Sequence, residues 1–156
     1  MEMNWEDSER YISACIAAKK TLQFLPVPPK DLRRQQIYQL KVLHDLMECQ
    51  DSVKISDIAH RIGTTLPSVT KSMNELEENG YVKKVENLQD KRITNIALTD
   101  KGQAIYDQLI YQFHVQNAEV LADIPEEELN TTIETIRKIY QKMDAFNRYK
   151  GDEQFV

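Results

Sequence analysis

Ile55 to Thr99 constrains this chain more than any other stretch. In LPSVTKSMNELEE, a turn of about 100° per residue gathers Val69, Met73 and Leu76 on one side. Pro67, Lys71 and Asn74 fall opposite, with Ser68 and Thr70 on the flanks. A helix of this pattern buries a narrow stripe and shows solvent a small, hydroxylated, basic face. Its acids, Glu75, Glu77 and Glu78, are held back to the far end. Before it, the sequence predicts a strand over Ser52 to Ser56 and a short helix over Asp57 to Ile62. Ser56 would cap that helix, Ile58, Ala59 and Ile62 would be its buried side, and Gly63 its stop. Thr64 and Thr65 offer an N-cap to the longer helix, and Pro67 is tolerated in its first turn. Asn79-Gly80 closes that helix. Tyr81 to Glu86 and Arg92 to Leu98 then alternate as two strands joined through Asn87 to Lys91.

Helix, tight turn, helix and charged hairpin have a shared chemical logic. Helix N-terminal amides and the helix dipole favour phosphate. Lysine suits the acceptors of guanine and asparagine suits adenine, so Lys71 and Asn74, with Ser68 and Thr70, are candidates for reading base edges. Lys83, Lys84, Lys91 and Arg92 put basic groups on the hairpin. An arginine there can enter a narrow minor groove. Asp90, two residues from Arg92, would share its strand face and could hold the guanidinium in a bidentate pair. This is how a winged helix-turn-helix puts a recognition helix in the major groove and a wing beside it.

The same residues resemble a known family. Asp90-Lys91-Arg92, then Leu98-Thr99 and Gly102, are similar to the DxR wing and the LTxxG junction of MarR-type regulators. Val69-Thr70-Lys71 and Leu76-Glu77-Glu78-Asn79-Gly80-Tyr81-Val82 resemble that family's TVTR…LEExGLV segment. The steps from Val82 to Asp90 and from Asp90 to Leu98 are both eight residues and need no gap. Two features depart from the usual pattern: Tyr81 replaces a leucine, and Glu86 to Gln89 carries no arginine. The resemblance implies a homodimer joined by terminal helices and double-stranded DNA as partner. It also implies a possible small-molecule effector and repression as the default outcome. The implied contacts are Thr64, Thr65, Pro67, Ser68, Thr70, Lys71 and Asn74 on the helix, and Lys83, Lys84, Asp90, Lys91 and Arg92 on the wing.

The net charge of −5 opposes nucleic-acid binding, so its distribution matters. Lys54 to Thr99 holds seven basic and six acidic residues, a local balance of +1 against −6 over the rest. Phosphate contacts need local positive charge, not a basic whole. Hydrophobic content of 41% and charged content of 29% suit a globular protein. No run approaches the roughly 18 apolar residues of a membrane helix, and the acidic start MEMNWEDSER is unlike a secretory signal. Two cysteines are too few for a disulfide framework, and a reducing cytoplasm fits.

The flanks read as helices. One is predicted over Asp7 to Leu25, capped by Asp7 or Ser8 and ended by Pro26, Pro28 and Pro29. A second, Asp31 to Cys49, carries a core stripe of Ile37, Leu40, Leu43, Leu46 and Met47. Thr99-Asp100 caps a helix reaching about Asp123. The last helix opens at Pro125 and carries Leu129, Ile133, Ile136, Tyr140 and Met143 at near-heptad steps. Such a stripe packs within its own subunit or against a partner. The expected class is mainly α with a small antiparallel β-wing, a winged helix-turn-helix flanked by N- and C-terminal dimerisation helices. The expected divisions are 1–52 (N-terminal helices), 53–99 (DNA-binding module), 100–150 (C-terminal helices) and 151–156 (flexible tail).

Other chemistries find little support. Some members of the resembled family sense oxidants through a cysteine in the first helix, and Cys15 is the candidate. It sits among Ile12, Ala14, Ile16 and Ala17 with no basic neighbour in sequence, so a buried inert thiol is expected. His44, His60 and His114 have no metal-ligand spacing, so no metal and no cofactor is expected. Trp5, Tyr11, Phe24, Tyr38, Tyr106 and Phe113 are core residues or the lining of a ligand cavity. With no GxSxG, P-loop, HExxH or glycine-rich dinucleotide turn, an enzyme is not expected. Two alternatives to DNA reading stand: a redox or small-molecule sensor, and a protein-interaction module on a winged scaffold.

Overall fold

The apolar stripes of three helices converge on the base of one hairpin. A computed structural model of the chain describes residues 4–86 and 94–153, with side chains described through residue 148. The chain forms two compact units, residues 1–115 and 116–156. The first contains α1 (Trp5–Thr21), α2 (Arg34–Cys49), α3 (Ile55–Ile62), α4 (Leu66–Glu78), β1 (Val82–Glu86), β2 (Thr94–Leu98) and α5 (Asp100–Tyr106). A π-helical turn, Asp107–Tyr111, leads from α5 into α6 (Gln112–Val120), which crosses the boundary. The second unit is built on α7 (Glu126–Glu153).

Leu40 and Leu43 of α2, Ile58 of α3, and Val69, Met73 and Leu76 of α4 are almost fully buried, together with Val53, Tyr81, Val82 and Ile96. α4 therefore buries the stripe its spacing predicts. The two strands pair antiparallel from Val82↔Leu98 to Glu86↔Thr94. Leu98, opposite Val82, completes the wall of the core.

Capping explains where the elements begin and end. α3 starts two residues earlier than expected, at Ile55. Its N-cap is Lys54, whose N–H donates to the Asp57 carboxylate at 2.9 Å, so Ser56 is not the cap. The strand expected over Ser52 to Ser56 reduces to an isolated bridge, Lys54↔Asn95, beside a 2.7 Å bond from Ile96 N–H to the Val53 carbonyl. Gly63, at φ 73°, ends α3 in the left-handed conformation, and both its N–H and that of Thr64 donate to the Ala59 carbonyl. Thr65 alone is the N-cap residue of α4, and its side chain makes no capping bond. α1 begins at Trp5 because Asn4, not Asp7 or Ser8, caps it, and it gives way at Leu22 to a 3-10 turn. α2 begins at Arg34, after a turn closed by Leu32 N–H to the Pro29 carbonyl, and not at Asp31.

The junction after the wing has a steric cause. The Thr99 hydroxyl donates to the Gly80 carbonyl at 2.6 Å and accepts from Gly102 N–H at 3.1 Å, while Thr99 N–H donates to the Tyr81 carbonyl. A Cβ at Gly102 would lie 2.0 Å from that Tyr81 oxygen. Only glycine lets α5 approach this closely.

The long helix expected from Thr99 to Asp123 is interrupted by the π turn, where Gln112 N–H bonds the Asp107 carbonyl. α7 starts directly after Pro125 and runs to Glu153, three residues into the stretch expected to be a tail. Within this chain, Leu129, Ile133, Ile136, Tyr140 and Met143 are all exposed on α7, as are Trp5, Ile12 and Ile16 on α1. Among the described residues no helix is long and apolar enough to cross a membrane.

Candidate nucleic-acid interface

Burial of Val69, Met73 and Leu76 turns the opposite side of α4 outward. Pro67, Ser68, Lys71 and Asn74 are exposed and Thr70 is half-buried, as their positions on the wheel require. Leu66, Pro67, Thr70, Lys71 and Asn74 line one open surface with Glu75 and Glu78. The Thr70 hydroxyl is donated back to the Leu66 carbonyl at 2.8 Å, so towards a ligand it offers acceptor lone pairs. Thr65 is exposed, and Thr64, half-buried, belongs to the end of α3.

β1 brings one wing lysine to the helix. Lys84 shares a strand face with buried Val82, and its ammonium donates to Asn74 Oδ1 at 3.3 Å and Glu77 Oε2 at 2.5 Å. Lys83, on the other strand face, is exposed. The Lys84–Glu77 pair is partly solvated, with side chains 45% and 34% exposed, so it contributes under about 1 kcal/mol. Asp90, Lys91 and Arg92 lie outside the described residues.

The back of α4 is held from α2 and the loop before it. The Ser72 hydroxyl donates to Gln39 Oε1, with both residues buried. Gln36 Nε2 donates to Glu75 Oε2 at 3.0 Å, and the Arg33 guanidinium pairs with the same carboxylate oxygen. Farther along, Asn79 Nδ2 donates to the Asp31 carbonyl at 3.1 Å, and the Tyr81 hydroxyl donates to the Asp31 carboxylate at 3.1 Å. Lys101 stands 4.0 Å over the Tyr81 ring and 3.5 Å from Asp31. Burial pushes the Asp31 carboxyl up, but the Tyr81 hydroxyl, a backbone bond and Lys101 outweigh it, leaving the carboxyl below its ordinary value. Burial pushes the Tyr81 phenol up, and Asp31 adds to this. The departure from leucine at Tyr81 thus creates a polar latch behind the helix. No helical or strand periodicity signals Arg33, Asp31 or Lys101, because these contacts join residues roughly forty to seventy positions apart.

A cavity of about 220 Å³ lies on the other side of α2, walled by Leu25, Ile37, Leu109, Ile110 and Phe113. Arg34, Lys41 and His114 supply its nitrogens, and Tyr38 also lines it. Of the expected aromatics only Tyr38 and Phe113 reach it. Trp5 and Phe24 are highly exposed, and Tyr106 stacks on His44 with centroids 3.6 Å apart. Cys15, expected to be buried, is exposed on α1 within this chain, as is Cys49 on α2. Among the described residues no three His, Cys, Asp or Glu side chains gather as a metal site.

A buried-backed helix with a basic outward face, a lysine-bearing hairpin and supporting helices define a winged helix-turn-helix fold. The MarR family model matches residues 37–94, from within α2 to the start of β2. The fold of the chain is similar to that of FabT from Streptococcus pneumoniae, solved in complex with DNA. The TM-score is 0.64, with 22% identity over 92% of this chain and 99% of that one. It is also similar to MepR from S. aureus in a DNA complex, with TM-score 0.59 and 21% identity over 90% and 97% of the two chains. PcaV from Streptomyces coelicolor, solved with its natural ligand, gives TM-score 0.60 and 17% identity over 90% and 96%.

Proposed function

We propose that the chain is a ligand-responsive transcriptional regulator, a homodimer that reads a pseudo-palindromic operator in double-stranded DNA and represses until an effector binds. The observation that carries this reading is the division of α4. Val69, Met73 and Leu76 are sealed in the core while Lys71 and Asn74 face outward beside Lys84. In this reading residues 53–99 form the reading module and the helices of 1–52 and 100–150 join the subunits. Thr64, Thr65, Pro67, Ser68, Thr70, Lys71 and Asn74 meet the major groove. Lys83, Lys84, Lys91 and Arg92 meet the backbone or minor groove, with Asp90 orienting Arg92. FabT and MepR, which share the fold, have been solved on DNA.

The effector enters the cavity beside α2. Its apolar walls with Arg34, Lys41 and His114 suit a small apolar molecule carrying an anionic group, and PcaV, of the same fold, was solved with its natural ligand. Occupancy acts on α2, whose opposite face holds α4. The protein works in the cytoplasm and catalyses nothing.

Selection of bound fragments from random duplex DNA tests the reading. One palindromic sequence should be enriched, and its affinity should fall steeply between about 50 and 200 mM salt. No enrichment, or an affinity flat in salt, refutes it.

A further inference from the structure

Two rungs of polar groups, one buried and one part-buried, join α2 to α4, and they are in step. Gln39 meets Ser72 and Gln36 meets Glu75, so three residues along one helix match three along the other in the opposite direction. Gln36, Gln39 and Ser72 are each more than nine-tenths buried. Apolar neighbours such as Leu40, Leu43, Val69 and Met73 would allow α4 several packings of similar energy. A buried amide or hydroxyl that loses its partner does not, because each orphaned group is costly.

Gln36 also has a fixed polarity. Its Oε1 accepts the Arg33 N–H at 2.9 Å at the start of α2, which leaves Nε2 as the only group it can turn to Glu75. The cavity-lining residues Arg34, Ile37, Tyr38 and Lys41 lie on the reverse of the same helix. Positions 37 and 39 are about 200° apart on its circumference, as are 39 and 41.

We infer that Gln36 and Gln39 are positioning residues for DNA reading: they touch no base, but set the register of α4 against α2 and hence the discrimination between sequences. This rests on the proposed function. A register error of one turn moves Lys71 and Asn74 by about 5.4 Å along the groove, more than the 3.4 Å between base pairs.

The test uses the full-length protein, the duplex selected from random sequence, and a shuffled duplex of equal length. The readout is the ratio of the two affinities, with thermal melting recorded beside it. Gln36→Glu keeps the acceptor for Arg33 N–H but sets a carboxylate against Glu75, and should cut the ratio about tenfold. Adding Glu75→Gln restores a donor–acceptor pair of reversed polarity and should bring the ratio back to within about twofold of the native value. A second variant, Gln39→Leu with Ser72→Ala, replaces the other rung by apolar groups and should melt near the native temperature with a reduced ratio. A ratio unchanged in Gln36→Glu, or in the folded Gln39→Leu/Ser72→Ala protein, overturns the inference. So does a folded Gln36→Glu/Glu75→Gln protein with no recovery. A native protein that prefers neither duplex refutes the proposed function instead.

Discussion

Gly102→Ala tests the junction between wing and α5, because the native geometry leaves no room for one methyl group. The added Cβ would lie 2.0 Å from the Tyr81 carbonyl oxygen, 3.0 Å from its carbon and 3.1 Å from Leu98 Cδ2. The first contact is backbone, so relief requires α5 or the Tyr81–Val82 peptide to move by about 1 Å or more. That displacement falls on the oxygen that accepts Thr99 N–H at 3.1 Å, and on the Thr99 hydroxyl that bridges Gly80 and Gly102. Overpacking costs about 1–3 kcal/mol and each weakened hydrogen bond about 1 more. The better helix propensity of alanine returns about 1 kcal/mol. The net loss is about 2–4 kcal/mol, a fall in melting temperature of roughly 5–15 °C for a chain of this length.

The assay is thermal unfolding by circular dichroism at matched protein concentration, since dimerisation makes melting temperature concentration-dependent. Gly63→Ala is the control. Gly63 has φ 73° but nothing within 4 Å of an added Cβ, so it incurs only the left-handed penalty of about 1–2 kcal/mol. Gly102→Ala melting within a degree or two of the native protein, or above Gly63→Ala, would refute the steric account.

Lys71→Ala should leave melting unchanged, weaken operator binding by about 1–3 kcal/mol and relax discrimination at one base position, as binding to a panel of operator variants would show. Arg92→Ala should fold normally and weaken operator binding by roughly 1–3 kcal/mol; equal affinity at moderate salt removes its role. Ile133→Glu with Ile136→Glu, on the exposed stripe of α7, should shift the protein from dimer to monomer in light scattering, and an unchanged mass refutes the interface. Tyr81→Phe removes a contact that holds the Asp31 carboxyl below its ordinary 3.8, an effect that stabilises the fold above that pH and is lost as pH falls through the lowered value. The stability gap between native and Tyr81→Phe proteins should therefore be open at pH 6 and close below pH 3.8, as denaturant titrations across that range would measure.

Periodicity made the core of the reading module legible, because burial of one face is what a 3.6-residue repeat reports. Val69, Met73 and Leu76 are inside and Lys71 and Asn74 outside on that ground alone. It failed where one particular side-chain contact decides the outcome. α3 begins at Ile55 and not at Asp57 because the Asp57 carboxylate reaches back to Lys54 N–H. Gln36 and Gln39 are buried on α2 because Ser72 and Glu75 meet them, contacts that no apolar repeat reports. The cavity draws Arg34 and Lys41 from α2 and His114 from α6, a grouping without any motif.

An acidic chain can read a polyanion when its acids are already compensated where the duplex would lie. Of the three carboxylates at the end of α4, Glu75 is paired with Arg33 and Gln36, and Glu77 with Lys84. The two compensations differ in reversibility. The Glu75 carboxylate has two partners, the Arg33 guanidinium and a part-buried, directional bond from the Gln36 amide, and supports the helix from behind. The Lys84 contact is solvated and contributes little, so a phosphate can compete for the ammonium. Releasing Lys84 frees Asn74 Oδ1 in the same movement, because both are tied by one ammonium. In the proposed function, the Asn74 amide is thus occupied in the absence of DNA and would be released when the backbone is engaged. Lys84→Ala should therefore do two opposing things: weaken binding to any duplex through the lost phosphate contact, and leave Asn74 free beforehand. The loss should fall equally on selected and shuffled duplexes, with the salt slope reduced by about 1 and discrimination intact. Discrimination that collapses in Lys84→Ala would mean that the lysine orients Asn74 on the DNA, and the account of it as a releasable tether would be wrong.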